Sequence, residues 1–221
     1  DVTLNSVSND GNKPVITANG QNYTFDAVLY ATGRKPNTAN IGLENTDITT
    51  NERGAIVVND TCESSVPGVY AVGDVNGGPQ FTYISLDDFR IVFGALTGNG
   101  QYTLKDRKNI PYTTFLTPPL ARVGLTEEDA INKGYTVKTK EMLVATMPRA
   151  HVNDYLKGAF KIVVNADNDL ILGATLYSQG AEELINLIKM AMDNNIPYTY
   201  FKNQIFTHPT MAENLNDLCN F

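Results

Sequence analysis

Apolar residues recur along this chain in two rhythms, one of period two and one of period three to four. Val2-Thr3-Leu4 through Val15-Ile16-Thr17 alternates in a way that predicts two strands joined by a turn at Asn9-Asp10-Gly11. Ala27-Val28-Leu29-Tyr30-Ala31 is a continuous apolar run, which predicts a short strand buried on both faces. Ala55 to Val58 and Val69 to Val72 predict two more strands, the second ending in Gly73-Asp74. The spacing then changes. Tyr83 to Leu96 predicts a helix with Ile84, Ile91, Val92 and Ala95 on one face, entered after the turn Gly77-Gly78-Pro79.

From about Ile110 the alternation returns. Tyr112–Leu116, Ala121–Gly124, Tyr135–Thr146, Gly158–Asn165 and Leu170–Tyr177 predict five strands. Thr126-Glu127-Glu128-Asp129 predicts a short helix start that Gly134 closes. Leu184, Leu187, Ile188, Ala191 and Met192 form a helical stripe, with Glu182 and Glu183 in the first turn and Pro197 beyond the end. That stripe predicts packed core. Strands followed by helices on one side make this half an α+β unit. No repeat or low-complexity stretch interrupts it.

Composition narrows the possible functions. An apolar share of 42% over 221 residues suits one large or two small globular domains. A net charge of −7 and a pI near 4.8 argue against nucleic-acid or anionic-membrane partners. No apolar run approaches the ~20 residues that span a bilayer. Cys62 and Cys219 lie far apart with no CxxC or metal-ligand pattern, so two free thiols and a cytoplasmic setting are expected. The sequons at Asn22 and Asn59 carry little weight without a signal peptide. The chain opens on Asp1, in what reads as the middle of a sheet. It is therefore expected to be a piece of a longer protein.

The candidate chemistry sits in three places. At Ala31-Thr32-Gly33-Arg34-Lys35-Pro36-Asn37 an apolar strand breaks at a glycine, either to let the backbone approach a ligand or simply to leave the sheet. At Val69 to Thr82 a strand, a Gly73-Asp74 pair, a glycine-rich turn and a helix start describe a crevice at the carboxyl end of a strand. There Asp74 can accept hydrogen bonds from a polyol, and the helix N-terminus near Thr82 offers N–H groups and positive dipole.

The third place is Ile205-Phe206-Thr207-His208-Pro209-Thr210-Met211-Ala212-Glu213, which holds one of only two histidines. Pro209 keeps His208 extended, just outside a helix that starts near Thr210 and includes Leu215 to Leu218. Glu213, about one turn into that helix, can reach back and orient the imidazole as a general acid/base. Thr210-x-x-Glu213 is equally a capping box. The two roles are compatible. His151, after Pro148-Arg149-Ala150, reads as a surface or hinge residue, and no metal site is apparent.

Taken together and in this order, ATGRKPN, VPGVYAVGD and HPTxxE resemble the FAD-dependent pyridine nucleotide-disulfide oxidoreductases. Within that family GGPQFTYISLDDFRIV, FLTPPLARVGLTEEDA and QIFTHPTMAENLNDL are most similar to the bacterial reactive-chlorine-resistance flavoenzymes, a group associated with hypothiocyanous acid and copper(II) reduction. The resemblance implies the end of an NAD(P)-binding domain at 1–33, the C-terminal portion of an FAD-binding domain at 34–109, and a dimerisation domain at 110–221. It implies FAD contacts for Gly33, Arg34, Gly73, Asp74, Thr82 and Tyr83. Many relatives carry Leu-Ala-His where Phe81-Thr82-Tyr83 stands, so backbone rather than side-chain roles carry over there.

It further implies that His208 and Glu213 serve as acid/base across a homodimer interface. Electrons would run from NAD(P)H through FAD and a disulfide to a small-molecule oxidant. The dinucleotide glycine loops and the paired cysteines do not occur in these residues, so the chain alone is expected to be inactive and to bind neither cofactor. A stand-alone dimerisation module, or a piece of a dihydrolipoamide dehydrogenase or mercuric reductase, are the alternatives.

Overall fold

The computed structural model describes residues 2–221. The chain divides into two compact units, Asp1–Gln101 and Tyr102–Phe221.

The first unit opens on three antiparallel strands, β1 (Leu4–Asn9), β2 (Pro14–Ala18) and β3 (Gln21–Thr24), in the order β1-β2-β3. The first turn lies where the sequence predicts it. Asp10 Oδ1 accepts from the backbone N–H of Asn12 and Lys13 and so closes it. The turn into β3 uses Asn19 and Gly20, both with positive φ.

Three predicted strands are absent. Ala27–Ala31 carries no strand, and Leu29 and Tyr30 are 88% and 66% exposed. An apolar run becomes a central strand only when neighbours on both sides take its backbone hydrogen bonds, and no described strand pairs with it. Ala55–Val58 and Val69–Val72 take part only in single bridges, Thr50 with Ile56, Val58 with Ser64 and Glu63 with Tyr70. Turns intervene too often for a ladder. Asn59 Oδ1, for example, accepts from the N–H of both Thr61 and Glu63.

The predicted helix is present as α1 (Thr82–Thr97). Its buried face is Ile84, Asp88 and Ile91; Val92 is only half-buried and Ala95 is exposed. Apolar residues also line the opposite side, where Leu86, Phe89, Phe93 and Leu96 are exposed. A helix apolar on two sides gives periodicity little to choose between.

The second unit is α+β. Five strands, β4 (Tyr112–Thr114), β5 (Leu120–Gly124), β6 (Val137–Leu143), β7 (Ala159–Asn165) and β8 (Ile171–Tyr177), form an antiparallel sheet in the order β4-β5-β8-β7-β6. All five predicted strands are there; four are shorter than expected, and β5 begins one residue earlier, at Leu120. Alternate residues face one side: Ala121 and Val123, then Phe160, Ile162 and Val164, then Ala174 and Leu176, all buried.

Helix α2 (Glu127–Asn132) starts where predicted, and Thr126 and Asp129 form a capping box at its N-terminus. A short helix, α3 (Pro148–Val152), begins with proline at its first position. The long helix α4 (Ala181–Asp193) buries Leu184, Ile185, Ile188 and Ala191 and packs on β5 and β8. Full burial of each large aliphatic side chain stabilises by about 1.5–3 kcal/mol, so this face anchors the unit. Gly158 shows how close the chains run: a Cβ built there would lie 1.8 Å from the Tyr177 carbonyl oxygen. Two more short helices, α5 (Tyr198–Asn203) and α6 (Asn214–Leu218), finish the chain, and Leu215 and Leu218 join the same core.

Candidate active site

Between α5 and α6 the backbone runs without helix or strand through Ile205 to Thr207 and reaches His208, whose bond to Pro209 is cis. Thr210 and Glu213 then close a reciprocal turn. Glu213 N–H donates to Thr210 Oγ1 at 3.2 Å, and Thr210 N–H donates to Glu213 Oε1 at 3.0 Å. This is the capping box the spacing predicts. Glu213 is the residue that caps α6, however, and not one a turn inside it. The helix is too short to reach back to Thr210.

The second carboxylate oxygen, Oε2, lies 2.7 Å from His208 Nδ1. One carboxylate therefore closes the turn that leads into α6 and holds an imidazole at once. The bond to His208 leads the effects that hold the Glu213 carboxyl below its usual 4.5, helped by the Thr210 N–H and opposed by burial. An ionised carboxylate only accepts, so the ring donates from Nδ1 and its Nε2 is left to exchange protons with a ligand. The geometry suits that task. The Glu213 side chain is 17% exposed, while that of His208 is 68% exposed. His151, in contrast, has its Nε2 spent on the Ala145 carbonyl at 2.8 Å, a bond that tethers the start of α3.

The remaining predicted residues lie in the first unit. Asp74 belongs to a short 3-10 turn, Gly73–Asn76, and its Oδ2 is 3.4 Å from Arg34 Nη1. Arg34 Nη2 also donates to the Gln80 carbonyl at 3.2 Å, so the guanidinium links the segment after Gly33 to the turn that precedes α1. Gly33 is exposed with φ +90°, and a Cβ there would meet nothing within 4 Å, so backbone freedom is its contribution.

Thr82 is the first residue of α1, and no side chain caps that helix. Tyr83 stacks on Phe81 with centroids 5.1 Å apart and rings 9° from parallel, and burial pushes its phenol up. An exposed carboxylate beside the uncapped N-terminus of a 16-residue helix fits the hydroxyls and electron-rich edge of a flavin.

Sequence reasoning missed Asp88. It is wholly buried in α1 and accepts from Gly73 N–H at 2.8 Å and from Asn76 Nδ2 at 2.9 Å, tying the Gly73–Asn76 turn to the helix. A carboxylate midway between buried Ile84 and Ile91 was the available signal. Cys62 and Cys219 are free and fully buried, and burial pushes the Cys219 thiol up to about 12. At that value Cys219 is not a thiolate nucleophile.

Residues 1–88 match the pyridine nucleotide-disulphide oxidoreductase family, and residues 110–219 match its dimerisation domain. The chain belongs to the pyridine nucleotide-disulphide oxidoreductases. Among curated members it is 45% identical to the probable pyridine nucleotide-disulfide oxidoreductase RclA of Escherichia coli strain K12, over 99% of this chain and 50% of that protein. It is 36% identical to the mercuric reductase of Staphylococcus aureus, over 97% of this chain and 40% of that enzyme. Among solved structures, the HOCl-induced flavoprotein disulfide reductase RclA from E. coli superposes with a TM-score of 0.92 at 44% identity, covering 98% of this chain and 50% of that one. The chain thus spans about half the length of the oxidoreductases it resembles. None of its described helices is long and apolar enough to cross a membrane.

Proposed function

We propose that this chain forms the C-terminal part of a homodimeric, FAD-dependent NAD(P)H oxidoreductase whose electrons reach a thiol-reactive or metal oxidant through a redox-active disulfide. In that protein residues 1–33 end the NAD(P)-binding domain, 34–109 complete the FAD-binding domain, and 110–221 form the dimerisation domain. E. coli RclA is described as HOCl-induced and has been captured as a Cu(II) complex, which supports an oxidant of this kind.

The observation that carries the reading is the 2.7 Å contact between His208 Nδ1 and Glu213 Oε2, on a ring whose side chain is largely exposed. His208 takes and returns the proton of the thiol during exchange with the oxidant. Glu213 fixes the ring so that the same nitrogen always meets that proton. Asp74 holds the polyol portion of FAD, while Gly33, Arg34, Gly73, Thr82 and Tyr83 line its approach. Bound there, the flavin supplies the two-electron relay between nicotinamide and disulfide.

The test is His208→Ala in the full-length enzyme. Flavin reduction by NAD(P)H, followed by stopped flow, should stay near wild type, because the hydride transfer to the flavin moves no thiol proton. Turnover with oxidant should fall by roughly 10²- to 10⁴-fold. A purely structural motif gives the opposite pattern: lower thermal stability with unchanged turnover per folded enzyme. Wild-type turnover in the folded variant overturns the assignment.

A further inference from the structure

The imidazole and its carboxylate sit on two neighbouring segments, and one side chain of α6 ties the first of them to the helix. Asn216, on α6, directs its amide nitrogen at the carbonyls of Phe201 (2.6 Å) and Gln204 (2.9 Å), with Lys202 at 3.4 Å. Those carbonyls end α5 and begin the run to His208. The last carbonyls of a helix lack intrahelical partners, and Asn216 supplies one from three residues beyond Glu213. An amide NH₂ carries two donor hydrogens, and both are committed to this junction.

We propose that Asn216 is a positioning residue for His208, fixing the end of the segment that carries the ring relative to the helix that Glu213 caps. It acts through the backbone and touches neither the imidazole nor the carboxylate. The inference deepens the reading of His208 as an acid/base, and its consequence for turnover rests on that reading. Besides Asn216, two described contacts hold Gln204 to Thr207: half-buried Phe206 packs against the core that includes Leu215 and Leu218, and Thr210 Oγ1 donates to the Thr207 carbonyl at 2.8 Å, but neither fixes the backbone at Gln204. Ile205 is 94% exposed, so packing of that side chain does not restrain the segment. A ring displaced by an ångström loses the 2.7 Å contact, and a misplacement of that size costs a positioned catalytic group about 10²-fold.

The experiment uses the 221-residue chain, labelled with ¹⁵N in its histidine rings, and needs no cofactor or turnover. Long-range ¹H–¹⁵N spectra at alkaline pH report which ring nitrogen carries the proton. With only two histidines, His151 is the internal reference. In wild type His208 should show the Nδ1-protonated form. Asn216→Leu keeps the approximate shape and removes both donors, while Asn216→Asp keeps the shape and turns a carboxylate oxygen toward three carbonyls. Both variants should move His208 toward the Nε2-protonated form typical of a free imidazole and leave the His151 signals in place.

An unchanged His208 tautomer in either folded variant overturns the proposal. So does loss of the native His151 signals in both, because Asn216 would then hold the unit as a whole and not the ring. Should Asn216 prove to set the tautomer while full-length His208→Ala turns over normally, the positioning stands and the acid/base reading fails. The two outcomes are separate.

Discussion

Glu213 is asked to do two things with one carboxylate, and its two oxygens divide the work. Oε1 accepts from Thr210 N–H, and Oε2 holds His208. A glutamine can keep the first contact with its carbonyl oxygen, but its NH₂ then faces Nδ1 and forces the ring to accept there. Glu213→Gln should therefore cost little stability, under about 1 kcal/mol for one replaced cap bond. It should nonetheless depress turnover of the full-length enzyme, because the proton moves to Nε2 in the neutral ring. Thermal melts and steady-state rates on one preparation test the pair of effects; normal turnover counts against the orienting role. The lowered Glu213 pKa also has a stability consequence. A folded pKa below the unfolded one means the folded chain binds fewer protons between the two values, so stability rises with pH across that window. The contribution is present above the usual 4.5 and is lost as pH falls through the lower folded value. The wild-type advantage over Glu213→Gln, measured by denaturant melts, should shrink across that acid range and stay constant above it.

At the level of elements, the turn Gly73–Asn76 depends on a helix that follows it. Gly73 N–H and Asn76 Nδ2 both donate to Asp88, which is fully buried. Asp88→Leu leaves two donors without an acceptor, at about 1–3 kcal/mol each. Hydrogen exchange at residues 73–77 should accelerate before the rest of the unit responds; uniform acceleration would mean Asp88 supports the whole unit and not this turn. The same element shows where the sequence was legible. The five strands of residues 110–177 could be read because one face of each is buried, so alternation survives in the residues themselves. The run Ala27–Ala31 could not, since its strand character depends on neighbours that pair with it and the run is largely exposed. The segments at 55–58 and 69–72 fail for another reason: asparagine and serine side chains take backbone bonds that a ladder would need. The capping box was legible from Thr210-x-x-Glu213 alone. Asp88 and Asn216 were not, because each acts on backbone groups that only the fold brings near.

For the whole molecule the question is how the chain associates. Residues 110–219 match a dimerisation domain, and under the proposed homodimer a two-fold interface closes on itself, so association through that unit would stop at two copies. The first unit also presents an apolar face, with Leu86, Phe89, Phe93 and Leu96 exposed along α1. Contacts through such a face need not close, and they would add mass beyond a dimer as concentration rises. The two modes separate by substitution. Phe89→Glu combined with Phe93→Glu places charge on the exposed side of α1, away from buried Ile84, Asp88 and Ile91. In multi-angle light scattering at tens of micromolar the wild-type chain should reach at least dimer mass. The double variant should remain a dimer and lose any larger species. A monomer in the wild type under those conditions defeats the expectation that this unit suffices for pairing. A monomer in the double variant alone would place the pairing surface on α1, not on the dimerisation domain.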